Sequence, residues 1–322
     1  MTEVRKYIIE SQDAGLRLDR VLAQKCSDLS RTRIKNLIEQ HKILVEGKMC
    51  LPSSKVKEND EIIITIEPLV EALPKPQSIP LDVIYEDQDI IVINKPAGMV
   101  VHPAPGTYDQ TLVNALLAHC DGSLSGISGV KRPGIVPRLD KGTSGLLVAA
   151  KHDKAHQGLV SQFANRDLKR QYFAIVWGRI NPLEGLIEGN IGRSPRNRQK
   201  MALLREGGKE ARTFYNTIEI FGRFASLVEC QLETGRTHQI RVHLASEGHG
   251  IIGDPLYGRS PKGYAGIVQK MKELTEQNTR PLLHAYCLTF IHPMTQQEMQ
   301  LKCELPADFK EAMTFLKQNV EF

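Results

Sequence analysis

The segment that most constrains this chain is Leu73-Pro74-Lys75-Pro76-Gln77-Ser78-Ile79-Pro80. Proline fixes φ and carries no N–H, so Pro74, Pro76 and Pro80 fit neither a helix interior nor a central strand. The chain must divide here. A small unit is expected over residues 1–72, a linker over 73–80 and a larger unit over 81–322. The 322 residues are enough for two buried cores.

No apolar run approaches the roughly 20 residues needed to cross a bilayer. The N-terminus, MTEVRKYIIESQDAG, has no apolar core or cleavage site of the secretory kind. The six cysteines are scattered without a C-x-x-C pair, a pattern of reduced structural thiols rather than a disulfide framework or zinc site. These features predict a cytoplasmic protein with no membrane association. A net charge of +5 permits a nucleic-acid partner without demanding one. Residues 1–72 are neutral overall, whereas basic residues clearly outnumber acidic ones between Arg166 and Arg212.

In the first unit, Leu18, Val21 and Leu22 share a helical face. Ser30 reads as the N-cap of a second helix over Arg31 to Gln40. Strands are expected around Ile43 to Val45 and Glu61 to Ile66. In the second unit, strands are expected at Val83–Tyr85, Ile90–Ile93, Gly145–Ala150, Tyr172–Trp177, Ala211–Ile220, Ala225–Glu233 and Leu283–Ile291. Helices are expected at Thr111–Ala118, Lys154–Asn165, Thr237–Glu247 and Ala307–Lys317. Strands and helices do not alternate regularly, and one pair of strands is joined by a short turn at Gly222. The predicted class is α+β, with a mixed, mainly antiparallel sheet in the larger unit.

Arg31 and Lys35 lie four apart on one helix face, flanked by Arg33 and Lys42, while Ile34, Leu37 and Ile38 form the packing face. Basic side chains around a helix N-terminus suit a phosphate backbone, although charge alone also describes an ordinary solvated face. In GIVPRLDKGTSGLLVAAK, Asp140 precedes a Gly-Thr-Ser-Gly turn that feeds an apolar strand. Local sequence leaves two readings: a carboxylate placed for chemistry, or one that orders the turn. Ser144 is not in a nucleophile elbow. His238 and His243 are five apart, not the four that share a helix face for zinc, so no metal site is expected.

RLDRVLAQ, LSRTRIKNLIEQHKILVEGK and VKENDEIII, spanning Gly15 to Glu67, resemble the alpha-L RNA-binding domain of ribosomal protein four. Downstream, NKPAGMVVHP, RLDKGTSGLLVAAK, KRQYFAIVWG, KEARTFY, LETGRTHQIRVH, GDPLYG and LLHA occur in the order seen in the RluA/RluD family of RNA pseudouridine synthases. This second resemblance runs from about Leu81 to Pro306.

The resemblance implies an isomerase that converts uridine to pseudouridine without a cofactor, acting on large-subunit ribosomal RNA. It implies Asp140 as catalytic carboxylate, Tyr172 as the residue stacked on the target base, and Arg241 as the partner of Asp140. A nearby arginine favours the ionised carboxylate and orients it. The target base must leave its stack, so basic residues are expected to hold the displaced backbone: Arg138, Arg166, Lys169, Arg170, Arg193, Arg196, Arg198, Lys200 and Arg236. Arg31, Arg33 and Lys35 are the RNA contacts expected in the first unit. Relatives usually carry His where this chain has Pro137, which puts substrate positioning in question. The rival readings are a pseudouridine synthase acting on transfer RNA, an RNA-binding or ribosome-assembly factor with lost chemistry, and a glycoside hydrolase. The last lacks the second carboxylate such chemistry requires. A monomer is expected.

Overall fold

The computed structural model describes residues 3–26, 28–66, 74–103, 107–120, 124, 134–136, 138–197, 199–262, 264–275 and 279–319. Pro137 and Arg198 fall outside them. The chain forms two compact units, Met1–Ala72 and Leu73–Phe322.

The first unit contains β1 (Glu3–Ile8), α1 (Leu18–Lys25), α2 (Arg31–Glu39), β2 (Ile43–Val45), β3 (Lys48–Met49) and β4 (Glu61–Ile66). Its sheet runs β1-β4-β2-β3, with antiparallel pairings. Leu18, Val21 and Leu22 of α1 and Ile34, Leu37 and Ile38 of α2 are buried against Ile43, Ile62 and Ile64. That is the packing face expected from the helical spacing. Ser30 caps α2 as expected, its hydroxyl accepting the Arg33 N–H at 3.2 Å.

The second unit carries β5 (Val83–Glu86), β6 (Ile90–Lys95), α3 (Leu112–His119), β7 (Ser144–Ala150), α4 (Asp153–Asn165) and β8 (Lys169–Trp177). It continues with β9 (Glu184–Arg193), β10 (Met201–Leu204), β11 (Lys209–Phe221), β12 (Ala225–Leu232), α5 (Gln239–Ser246), α6 (Ala265–Leu274), β13 (Leu283–Ile291), β14 (Glu298–Lys302) and α7 (Ala307–Gln318). Its sheet runs β10-β9-β11-β12-β8-β13-β7-β6-β5, and β14 pairs with β13. Among the described residues β7 and β13 pair in parallel, and the other ladders are antiparallel. The class is α+β with a mixed, mainly antiparallel sheet.

Strand periodicity sorts this sheet into two faces. Ile91, Ile93, Leu147 and Ala149 face a core shared with α3, α5 and Tyr172. Ile90, Val92, Leu146 and Val148 face the opposite core with α4. β7 is buried on both faces along its whole length, which is why its sequence is a continuous apolar run rather than an alternating one. Near its start is Gly145, whose φ is 113° and whose missing β-carbon would collide with the backbone of Ala285. Glycine there lets β7 and β13 close on each other directly beneath the loop that carries Asp140.

The proline-rich stretch is strapped to the second unit. The Asn114 side-chain amide donates to the Lys75 carbonyl at 2.8 Å, and the Gln77 N–H donates to the Asn114 carbonyl at 2.9 Å. Asn114 also completes a capping box with Thr111 at the start of α3. The linker's lack of repeating structure was legible; its anchorage through a buried asparagine was not.

Candidate active site

Asp140 stands in the turn ahead of β7, a turn closed by the Thr143 N–H on the Asp140 carbonyl at 3.1 Å. Its side chain is 26% exposed, and its Oδ2 accepts a hydrogen bond from Nη1 of Arg241 on α5 at 3.0 Å. The rest of that guanidinium belongs to Asp254: Nε donates to Oδ2 at 2.7 Å and Nη2 to Oδ1 at 2.9 Å. The Asp254 side chain has 0% exposure, and its Oδ1 also accepts the N–H groups of Leu256 and Tyr257. A buried carboxylate thus holds the guanidinium in its bidentate fork, leaving Nη1 to hold Asp140. Burial works against the Arg241 cation, but hydrogen bonds and charge from Asp254, then Asp140, keep its pKa above the ordinary arginine value.

The motif residues around Arg241 fix where α5 starts. The Thr234 hydroxyl donates to Gln239 Oε1 at 2.7 Å, and the Arg236 N–H donates to the same oxygen at 3.0 Å. Gln239 Nε2 donates to the Arg212 carbonyl and to the Thr213 hydroxyl. His243 Nδ1 lies 2.9 Å from that hydroxyl, and burial pushes its pKa down to about 4. Gln239, Thr234, Thr213 and His243 of LETGRTHQIRVH and KEARTFY thus bond chiefly to one another, the usual fate of buried polar groups. His238 turns instead to the Tyr257 hydroxyl. The two histidines serve different partners.

Tyr172 sits on β8 between Cys230 and Ala285 of the flanking strands, only 4% exposed. It packs in the core and also lines a cleft of about 870 Å³ that contains Asp140 and Arg241. Burial raises its pKa, with Arg170 opposing and Asp140 reinforcing, so the phenol is neutral at pH 7.

Arg138 and Arg236 line the cleft. Arg138 Nη2 touches the Thr237 hydroxyl at 3.4 Å, and Arg236 Nε donates to the Glu210 carbonyl at 2.8 Å. Lys169 and Arg196 are exposed. Arg166 bridges Glu233 and Glu210. Arg170 departs from the expectation of a surface phosphate contact. It is 7% exposed, lies over the Phe163 ring at 4.6 Å and donates to the Thr234 carbonyl. Its length and charge are used to support the cleft wall next to Tyr172. Lys200 is similarly occupied, donating to the Leu256 carbonyl. In the first unit, Arg31 is exposed but pairs with Asp19 at 3.1 Å, and Lys35 pairs with Glu39 at 3.6 Å.

Sequence reasoning singled out neither Asp254 nor Lys95. Lys95 has 0% exposure, and its ammonium donates to the carbonyls of Pro96 (2.8 Å), Met99 (3.0 Å) and Lys141 (3.4 Å). It ties the NKPAGM loop to the residue after Asp140. Burial pushes its pKa down to about 7, opposed by Asp140 and reinforced by Arg280. The signal available was a lysine closing a strand that opens on four apolar residues, Ile90 to Ile93. Among the described residues, Asp87, Asp89 and His292 are close enough to share an ion. Asp87 is already bonded to His292 at 2.9 Å and Asp89 to His152 at 2.8 Å, and none of them lines the cleft.

Residues 89–246 match the family of RNA pseudouridylate synthases, and residues 16–62 match the S4 domain. The ribosomal large subunit pseudouridine synthase D of Zymomonas mobilis is 49% identical over 299 residues, 92% of each chain. This chain belongs to the RNA pseudouridine synthase family. The same-named protein of Escherichia coli O157:H7 is 40% identical over 97% of this chain and 94% of its own. Human RNA pseudouridylate synthase domain containing 4 superposes with a TM-score of 0.57 at 25% identity, covering 73% of this chain and 92% of its own. The enzyme is therefore an isomerase acting on RNA, with an S4 domain ahead of its catalytic unit. The reading as a binding factor without chemistry is not the one these relationships support. No described helix is long and apolar enough to cross a membrane.

Proposed function

We propose that the enzyme isomerises uridines of large-subunit ribosomal RNA, with Asp140 as the nucleophile, and that it works as a cytoplasmic monomer in ribosome biogenesis. The observation that carries the assignment of Asp140 is the clamp from Asp254 through Arg241 to Asp140 Oδ2, opening on a cleft. A carboxylate held at one oxygen presents the other to substrate in a fixed orientation, the arrangement a nucleophile requires. The C1′–N1 bond breaks, the base turns within the cleft, and C1′ bonds to C5. The C5 hydrogen leaves as a proton and N1 gains one. Tyr172 lies under the base as a stacking surface, and its hydroxyl assists removal of the C5 proton. Arg138, at the cleft mouth, fills the space left by the flipped nucleotide or grips its phosphate.

The substrate class is supported by the names of the relatives and by the S4 domain. Tritium release from RNA labelled at uracil C5 tests it, with ribosomal and transfer RNA supplied separately. Release is expected from ribosomal RNA. Release from transfer RNA alone would transfer the activity to that class.

The S4 unit makes its own prediction. Exchange of Arg31, Arg33 and Lys35 for Gln should weaken RNA binding without base preference. Its salt dependence should flatten by about one unit of slope per lost phosphate contact. Glutamine avoids the repulsion that glutamate at position 31 would meet from Asp19. Filter binding across a salt series is the measurement, and an unchanged slope would remove α2 from the RNA interface.

A further inference from the structure

His238 is the residue at which the chain enters α5, and it does so in the left-handed region, with φ at 58°. Few L-residues stand there, Asn, Asp and His being the commonest, and such a residue is held by its surroundings. Here the holder is Tyr257. Its hydroxyl lies 2.9 Å from His238 Nδ1, and the two rings meet edge to face with centroids 5.6 Å apart.

The Tyr257 oxygen accepts the Met201 N–H at 2.8 Å and keeps its own proton to donate. Given to His238 Nδ1, that proton leaves the imidazole's hydrogen on Nε2, and this is the tautomer on which the inference is built. Burial holds the His238 pKa below the ordinary value, Asp140 opposing and Arg241 reinforcing, so the ring is neutral at pH 7. Nε2 is 3.8 Å from Asp140 Oδ2, beyond hydrogen-bonding distance, and that oxygen is already engaged by Arg241. The Nε2–H is thus directed into the cleft beside the carboxylate, on a side chain that is 19% exposed and lines the cavity.

We propose that His238 contacts the substrate, its Nε2–H donating to a carbonyl oxygen of the flipped uracil. The inference rests on the proposed chemistry at Asp140. If C1′–N1 cleaves first, its electron pair stays on the base and spreads over N1, O2 and O4. If Asp140 first adds to ring carbon six, the pair moves to C5 and O4. Either route builds negative charge on a carbonyl oxygen, where a prepositioned N–H stabilises the transition state more than the neutral base. The proton remains on Nε2 throughout.

Side-chain geometry supplies a discriminating test. The amide nitrogen of Gln reaches as far from the backbone as imidazole Nε2. Asn reaches only as far as Nδ1, although it tolerates left-handed backbone well. Single-turnover tritium release, RNA affinity and melting temperature would be compared for wild type, His238→Gln, His238→Asn, His238→Ala and Asp140→Ala.

The rate for His238→Asn and His238→Ala is expected to fall about 10²-fold, the usual cost of one oxyanion donor. RNA affinity should stay unchanged, and His238→Gln should recover most of the rate. A wild-type rate in His238→Asn overturns the inference. So does equal loss in all three variants, which would reduce His238 to a support for the Tyr257 loop. Should the Asn and Ala proteins melt early, Tyr257→Phe carries the test. It keeps the ring but frees the tautomer, and should slow turnover severalfold at unchanged affinity; an unchanged rate overturns the inference. Wild-type release that persists in Asp140→Ala would instead overturn the underlying chemistry, an outcome distinct from any produced at His238.

Discussion

Asp140→Asn will lose isomerisation by about 10⁴-fold or more, the scale seen when a nucleophile is removed from an otherwise intact site. The substitution is nearly isosteric, and the amide oxygen can still accept from Arg241 Nη1 at the position now occupied by Oδ2. The side chain is partly exposed, so the stability change should stay within about 1 kcal/mol. RNA affinity should persist, because the basic cleft and the S4 unit are untouched. Single-turnover tritium release with parallel filter binding and thermal melting separates these quantities. Release within a hundredfold of wild type would exclude Asp140 as the nucleophile and leave its carboxylate a turn-forming role.

The second large effect is expected at Asp254. Asp254→Asn leaves the Arg241 guanidinium buried beside a neutral amide. Breaking one side of a buried ion pair commonly costs about 3–5 kcal/mol. Its surroundings make this site exacting: the carboxylate has 0% exposure, and its Oδ1 also satisfies the Leu256 and Tyr257 N–H groups. Activity should fall as well, by about 10²-fold, since loss of the bidentate hold lets Arg241 and Asp140 move from their reacting geometry. The double substitution Arg241→Met with Asp254→Asn gives the complementary result. Removing both charges should restore much of the stability, because no charge is left stranded and the Asn oxygen still accepts the Leu256 and Tyr257 N–H groups, while activity stays lost. Urea melts of the single and double variants, read beside tritium release, make this a double-mutant cycle. Equal instability in the single and double variants would mean that the stranded Arg241 charge is not what destabilises Asp254→Asn.

The elements missed by sequence reading have specific causes. β9 reads EGLIEGNIGR, with glycines and acids that lower strand propensity. It is a strand because β10 and β11 pair with its two edges. A β-carbon at Gly185 would press on the Tyr215 ring, and one at Gly189 on the end of the Leu203 side chain. β1 and α6 were missed too. β1 is exposed or half-exposed along the whole of EVRKYI and gains its place from the ladder with β4. α6 buries only Met271 fully, too little apolar surface to stand out as a stripe.

The sequence by itself excluded regular structure from residues 74–80, because prolines do so regardless of what surrounds them. It also determined the face of α1 and α2 that packs inward, the fully buried strand β7, and the family to which the chain belongs. Those are properties of local pattern and motif order. Tertiary structure alone decided which charged residues line the cleft and which are buried in its walls. Arg138 and Arg170 both belong to basic motifs and look alike in sequence, yet one stands exposed at the cleft and the other is buried over Phe163. Asp254 and Lys95, read locally, are a turn aspartate and a strand-end lysine. Only the fold brings one to Arg241 and the other to the Lys141 carbonyl. The physical reason is that a charge's role depends on its burial and its partners, and contacts across long sequence separations set both.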